Sequence, residues 1–181
     1  MGSNYAFNPI AEQALRSDQT IVPQRVNAAL ALMEKISVAQ FLKIASPLVG
    51  LNVGCVWTGY GKAIFLELGR LLPPDPPKKN NPRGEMTIML DQAWRVEGAR
   101  SILFGSMDTH RRIKKGLASL EGRTVEDIAV VGRLPELSLK LSGGKWVSSF
   151  AVGESQPDWG ILLPDRKSLG VRGGTLIHRE S

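Results

Sequence analysis

The feature of this sequence that most constrains its fold is an internal repeat. Four positions of one segment recur 72 residues later with the same or a similar residue. They are Leu48, Gly50, Val53 and Val56 in the first copy, and Leu120, Gly122, Val125 and Ile128 in the second. A repeat of this kind indicates two similar structural units, neither of which buries its apolar face alone.

Both copies then change to an alternating pattern. The alternating apolar residues are Ile64, Leu66 and Leu68 in the first copy, and Leu137, Leu139 and Leu141 in the second. Each copy continues with a glycine-containing turn, an extended stretch and a lone tryptophan, Trp94 or Trp159. Alternation predicts strands, and we expect the two tryptophans to fill the core. The sequence therefore predicts a mainly β protein of the α+β class, with two tandem β-units packed with pseudo-twofold symmetry as a sandwich or barrel.

The N-terminal part of the chain shows a helical pattern instead. After Pro23, apolar residues recur at spacings of three and four through Met33 and Ile36, which predicts a helix. Ser37 is expected to cap a further short helix that ends near Pro47. The predicted domains are a helical N-terminal segment (1–46), a first β-unit (47–105), a short linking helix (106–119) and a second β-unit (120–181).

The net charge of +6 is concentrated in two segments, residues 70–83 and 106–118, that contribute +3 each. The first is a proline-rich loop, and the second contains most of an amphipathic helix predicted over 110–120, with Ile113 and Leu117 on its apolar face. The cations are Arg70, Lys78, Lys79 and Arg83 in the loop, and Arg111, Arg112, Lys114 and Lys115 in the helix. Such basic segments bind acidic proteins or nucleic acids, so these eight residues are candidate partner-binding residues. The alternative is that they are solvated charges without a partner.

Tyr60 is the ninth candidate, because it lies in a glycine-rich turn where an aromatic ring would be exposed. An exposed ring among cations is what single-stranded nucleic acid needs for base stacking. The remaining aromatic residues follow strand patterns and are expected in the core. They are Trp57, Phe65, Trp94, Phe104, Trp146, Phe150 and Trp159.

Motifs for catalysis, metals and cofactors are missing from the sequence. His110 and His178 lie in separate segments, and neither forms a metal-ligand pattern. We expect no metal site, no cofactor and no catalytic residue. A carboxylate pair formed by Glu67 and Glu85 across the first hairpin keeps open an alternative, an enzyme with a cryptic site between the two halves.

The sequence also suggests where the protein resides. It contains no apolar run of the length that spans a membrane and no secretory signal pattern, so we expect a cytoplasmic protein without a membrane partner. The single cysteine, Cys55, excludes an internal disulfide and is expected to be a small buried core residue. A homodimer through an edge strand or the N-terminal helices is a further alternative.

The second copy also carries a resemblance. Its motifs are Leu120-x-Gly-x-x-Val, then Glu-Leu-Ser-Leu-Lys-Leu-Ser-Gly-Gly-Lys, then Ser-Phe and Asp-Trp. With these motifs, the region from Leu48 to Arg179 resembles a family of small, uncharacterised bacterial β-rich proteins, some of which are similar to immunity or accessory proteins found beside bacterial toxins. The resemblance implies a protein that neutralises or assists a partner, and it assigns no catalytic residue.

Together these observations favour a non-enzymatic protein-binding module. It would present the basic loop and the basic helix to an acidic protein, and immunity-type neutralisation is one version of this function. The alternative function is nucleic-acid binding by the same cations.

Overall fold

The computed structural model of the chain describes residues 33–72, 81–91, 93–153 and 159–180. The fold of this part is mainly β, with two short α-helices. The strands are β1 Met33–Lys35, β2 Val53–Thr58, β3 Ile64–Leu68, β4 Met86–Leu90, β5 Trp94–Glu97, β6 Ile102–Gly105, β7 Val125–Val131, β8 Glu136–Leu141, β9 Lys145–Ser149, β10 Trp159–Leu162, β11 Ser168–Arg172 and β12 Thr175–Arg179. The helices are α1 Val38–Ala45 and α2 His110–Ala118, and 3₁₀ turns lie at Ser46–Leu48, Tyr60–Lys62 and Pro164–Arg166.

The strands form two sheets. The seven-stranded sheet has the order β1-β12-β11-β10-β4-β3-β2, and the five-stranded sheet has the order β6-β5-β9-β8-β7. The chain changes sheets between β4 and β5 and changes back between β9 and β10. As a result, the meander β2-β3-β4 is extended by β10 and β11, and the meander β7-β8-β9 is extended by β5 and β6.

The strand registers at these junctions correspond in the two sheets. Trp159 on β10 pairs with Leu90 on β4, and Trp94 on β5 pairs with Ser149 on β9. Both meanders also begin with an irregular register, after Val53 in β2 and after Val125 in β7. A bulge of this kind bends the strand and strengthens its twist, so β2 and β7 are distorted at the same point.

The segments that precede β2 and β7 pair directly with each other. Asn52 and Thr124 form an isolated antiparallel bridge, and the Thr124 hydroxyl donates to Asn52 Oδ1 at 2.8 Å. Four backbone bonds flank the bridge: Gly50 N to Val125 O (2.9 Å), Gly122 N to Val53 O (2.7 Å), Val125 N to Leu51 O (2.9 Å) and Val53 N to Arg123 O (2.8 Å). Adding 72 to residue numbers of the first copy and subtracting 72 from those of the second converts the Gly50–Val125 bond into the Gly122–Val53 bond. The same operation converts the Val125–Leu51 bond into the Val53–Arg123 bond.

One hydrophobic core contains side chains from both sheets and both helices. Trp94 and Trp159 are fully buried in it, as the sequence predicts, and their indole N–H groups donate to the carbonyls of Lys62 (2.9 Å) and Pro135 (2.8 Å). Their polar atoms are therefore satisfied inside the core. Four further aromatic residues expected in the core, Trp57, Phe65, Trp146 and Phe150, are only half-buried, so the prediction is wrong for them. Trp57 stacks on Phe65 with ring centroids 3.9 Å apart.

Both helices begin at a capping side chain. The Ser37 hydroxyl accepts from Gln40 N, and the Gln40 side chain accepts from Ser37 N, so α1 has a complete capping box. At α2, the Thr109 hydroxyl accepts from Arg112 N at 3.4 Å. The predicted Ser37 cap and short helix are confirmed.

The predicted N-terminal helix is wrong at its C-terminal end. Met33–Lys35 is a strand, and Ile36 N donates to Leu176 O on β12 at 3.1 Å. The backbone of β12 therefore provides tertiary hydrogen bonds that override the helical spacing of Met33 and Ile36. The rest of the predicted N-terminal segment, residues 1–32, lies outside the described residues.

The two helices of the described ranges have eight and nine residues. Within those ranges, no helix is long and apolar enough to cross a membrane.

Candidate functional site

Helix α2 turns its apolar side toward the core and its cations outward. Ile113 and Leu117 are buried and are the residues through which the helix packs. The exposed residues of the helix include His110, Arg111, Arg112, Lys114 and Lys115. The predicted basic helix is therefore present, and all four of its candidate cations lie at the surface.

Arg112 is the one of these four that has a structural role. Its guanidinium donates to Leu103 O at 2.8 Å and lies 3.4 Å from Asp108 Oδ1. Asp108 Oδ2 in turn accepts from Gly105 N at 2.9 Å. Leu103 and Gly105 belong to β6, an outer strand of the five-stranded sheet. The Arg112–Asp108 pair thus caps backbone groups of an edge strand, which protects that edge from pairing with another chain.

The other three cations are available to a partner. No carboxylate of the described ranges lies within ion-pair distance of Arg111, Lys114 or Lys115. A row of cations on one exposed helix face creates a positive potential that attracts acidic groups.

The turn that contains Tyr60 is bonded to the segment just before this helix, although 50 residues separate Tyr60 from His110 in sequence. The Tyr60 side chain is 100% exposed, in the 3₁₀ turn that connects β2 and β3. Lys62 fixes that turn, because its Nζ donates to Asp108 O at 3.1 Å and its carbonyl accepts from Trp94. The structure therefore connects the Tyr60 turn to the residue two positions before α2.

Two predicted loop cations are placed elsewhere. Arg70 follows β3 and Arg83 precedes β4, whereas Tyr60 lies at the opposite end of β3. Five strand residues span roughly 13 Å. Arg83 and Leu72 form a short bridge that closes the base of the loop. Lys78 and Lys79 lie outside the described residues.

A pocket of about 270 Å³ adjoins α2 on its β6 side. It is lined by Leu103, Phe104, Arg112, Lys115, Gly116 and Ser119. Gly116 lets the helix approach the Phe104 ring closely, since a Cβ at this position would lie 2.6 Å from two ring atoms. Sequence reasoning missed this pocket; its one local signal is a glycine inside a helical pattern.

Exposed apolar side chains accompany the cations. Ile102 on β6 is 62% exposed and Met107, just before α2, is 87% exposed. We call the combined feature the α2 surface; it consists of Tyr60, Ile102, Met107, Arg111, Lys114 and Lys115. It therefore offers apolar and cationic contacts together.

The two members of the predicted carboxylate pair, Glu67 and Glu85, lie in different environments. Glu67 is only 3% exposed, and its two oxygens accept from Trp57 Nε1 (2.9 Å), Gly84 N (2.8 Å) and Thr87 Oγ1 (2.7 Å). Glu85 is exposed. The role of the Glu67 carboxylate in the structure is therefore to accept hydrogen bonds from donors on β2, on β4 and in the segment before β4.

The described residues contain no group of three or more His, Cys, Asp or Glu side chains placed to hold a metal ion. His110 is exposed at the start of α2. His178 is buried on β12, and its Nε2 is the single buried side-chain nitrogen or oxygen of the described part that has no hydrogen-bond partner.

Cys55 is half-buried on β2, so the prediction of a core position is wrong. The register places it opposite Glu67, and Val56 N next to it donates to Glu121 Oε1 at 3.1 Å. Burial raises the pKa of the Cys55 thiol, and the negative charges of Glu121 and Glu67 raise it further. A raised pKa leaves less thiolate, which makes Cys55 a poor nucleophile.

We expect the Glu121→Gln variant to make Cys55 more reactive. Removing the negative charge stabilises the thiolate and lowers the thiol pKa, so more thiolate is present at a given mildly alkaline pH. The amide oxygen still accepts from Val56 N. The measurement is the rate of alkylation by iodoacetamide across a pH series. The control is Glu126→Gln, which removes a charge that is paired with Lys140; equal rates in both variants would contradict the assigned cause.

Comparison with known proteins gives no relative of this chain. No protein-family model, no curated protein and no solved structure matches it.

Proposed function

We propose that the protein is a non-enzymatic binding module whose α2 surface docks an acidic protein partner. The observation that carries the proposal is the set of three cations, Arg111, Lys114 and Lys115, that have no ion pair within the described residues and that accompany exposed apolar side chains and a pocket. Protein interfaces combine an apolar centre with polar groups at the rim and are enriched in Arg, Met and aromatic residues. Positive charge on such a surface speeds and orients the approach of an acidic partner.

Immunity-type neutralisation of a toxin is one version of this function. A folded scaffold that presents a fixed charged surface needs no catalytic group to block a partner. The proposal includes the cytoplasmic location expected from the sequence, and the free Cys55 thiol supports it, since disulfides are rare in that compartment.

Nucleic-acid binding is the second candidate, and Tyr60 favours it. A fully exposed aromatic ring next to a cationic helix provides a stacking platform beside phosphate-binding charges. The exposed Ile102 and Met107 favour the protein partner, because apolar side chains contribute little to contacts with a phosphate backbone.

We further propose that the scaffold is a duplication packed as a sandwich with pseudo-twofold symmetry. The 72-residue shift that exchanges the backbone bonds around Asn52 and Thr124 also relates the N-caps Ser37 and Thr109. Each unit would then contain a helix followed by five strands, β2–β6 after α1 and β7–β11 after α2, with β1 and β12 outside the repeat, and would donate its last strands to the sheet of the other unit. This places α1 and α2 inside the repeats, whereas the sequence alone suggested separate helical segments.

A charge-reversal experiment tests the proposed function. The variant carries Arg111→Glu, Lys114→Glu and Lys115→Glu, and it leaves Arg112 in place because Arg112 caps β6. The control carries Lys35→Glu, Lys43→Glu and Arg133→Glu, which make the same charge change at exposed positions elsewhere. The partner is captured from native cells with the unaltered protein, and its affinity for all three proteins is then measured.

We expect the α2 variant to bind the partner about a hundredfold more weakly and the control to bind it nearly as the unaltered protein does. Equal affinities for both variants would contradict the proposed surface. If nuclease treatment removes all the captured material, the second candidate function replaces the first.

A further inference from the structure

We propose that the pocket between α2 and β6 is a socket for one apolar side chain of an acidic segment in the partner. This inference rests on the proposed function and specifies the chemistry of the partner. Interfaces of this kind are dominated by a few side chains that fill pockets near the centre of the contact.

The pocket has room for one apolar side chain. Its volume is about 270 Å³, near the lower end of the range of about 300 to 1,000 Å³ that is typical of small-molecule sites. A single leucine or phenylalanine side chain fits within this volume.

The lining of the pocket fits an apolar group with carboxylates on either side of it. Leu103, the Phe104 ring and the bare backbone of Gly116 form its apolar part. Lys115 supplies positive charge, whereas Arg112 is paired with Asp108 and the Ser119 hydroxyl donates to Gly116 O (2.6 Å) and accepts from Lys145 Nζ (2.7 Å). An apolar side chain of the partner would displace water from the apolar part of the pocket. The acidic residues on either side of that side chain would face the positive charge, so the complementarity is both steric and electrostatic.

Helix α1 gives an internal comparison. Its seventh residue after the N-cap is Ile44, and the corresponding residue of α2 is Gly116. At two positions where α2 carries Arg111 and Lys114, α1 carries Ala39 and Leu42. The missing side chain and the added cations therefore occur together on one helix, as a combined site for an apolar and acidic segment requires.

Short acidic peptides test the socket directly. Three fluorescent peptides have glutamate on both sides of a central glycine, leucine or phenylalanine, and their affinities are measured by anisotropy at low salt. We expect the leucine or phenylalanine peptide to bind about tenfold or more tightly than the glycine peptide, as the transfer of such a side chain from water implies. Leu103→Trp fills the pocket and should remove this preference. Ile102→Trp adds the same ring to an exposed neighbour that does not line the pocket, and should keep it.

The outcomes separate the two proposals. Equal affinities for the three peptides would overturn the socket and leave the proposed function standing, provided that the α2 charge-reversal variant binds all three more weakly. If the charge-reversal variant binds the peptides as tightly as the unaltered protein does, the proposed function is overturned. If no peptide binds at low salt, the socket is overturned. If the protein binds oligothymidine more tightly than every peptide, and the Tyr60→Ala variant loses that binding, the socket for a peptide segment is overturned in favour of a nucleic-acid site.

Discussion

Replacing Glu67 with alanine is expected to lower the free energy of unfolding by about 3 to 5 kcal/mol. The carboxylate is almost completely buried, and it accepts from three donors. Truncation leaves Gly84 N–H and the Thr87 hydroxyl buried without an acceptor, and each unsatisfied donor costs about 1 to 3 kcal/mol. The half-exposed indole of Trp57 can turn to water.

Lys140 provides the matched control. In the register of the five-stranded sheet it lies between Asp127 and Trp146, as Glu67 lies between Cys55 and Thr87. Its ammonium is 3.1 Å from Glu126 in a half-exposed pair, so Lys140→Ala should cost less than about 1 kcal/mol. Urea unfolding measures both variants. If Glu67→Ala costs no more than Lys140→Ala, the buried carboxylate does not hold the first hairpin together.

Local patterns were sufficient to predict strands at the alternating residues. Ile64, Leu66 and Leu68 lie in Ile64–Leu68, and Leu137, Leu139 and Leu141 lie in Glu136–Leu141, because the side-chain period of two is set within each strand. Met33–Lys35 was predicted as helix, since its pairing with β12 depends on residues far along the chain. Alternation also could not reveal the exchange of β5 and β10 between sheets, because it indicates which side of a strand is buried but not which strand lies beside it.

In the candidate site too, local features could be predicted from the sequence, whereas long-range contacts could not. Composition and helical spacing predicted the exposed cations of α2, and the glycines around Tyr60 predicted its exposure. The proximity of Tyr60 to α2 depends on the Lys62–Asp108 bond, which joins residues 46 apart. The pocket likewise depends on the contact between Gly116 and Phe104. Contacts of this range follow from the fold, so a single sequence contains no pattern that reports them.

The second large effect is expected at the two core tryptophans. Trp94→Ala and Trp159→Ala should each lower the free energy of unfolding by about 3 to 5 kcal/mol, because each leaves a cavity in a fully buried position. Each also removes an edge-to-face ring contact, Trp94 with Phe104 and Trp159 with Phe41, and an indole hydrogen bond to a backbone carbonyl. Trp146→Ala is the control, since that ring is half-exposed on β9 and its loss should cost markedly less.

The comparison of the two variants carries further information. Each tryptophan lies on the strand that passes into the other sheet, so both are expected to weaken the junction between a meander and its added strands. If the units are equivalent, the two losses should agree to within about 1 kcal/mol. A large loss for one and a small loss for the other would contradict that equivalence.

Trp94→Ala should also weaken partner binding, because the Trp94 indole fixes Lys62 and thereby Tyr60. Trp159, whose indole bonds to Pro135, should affect stability alone.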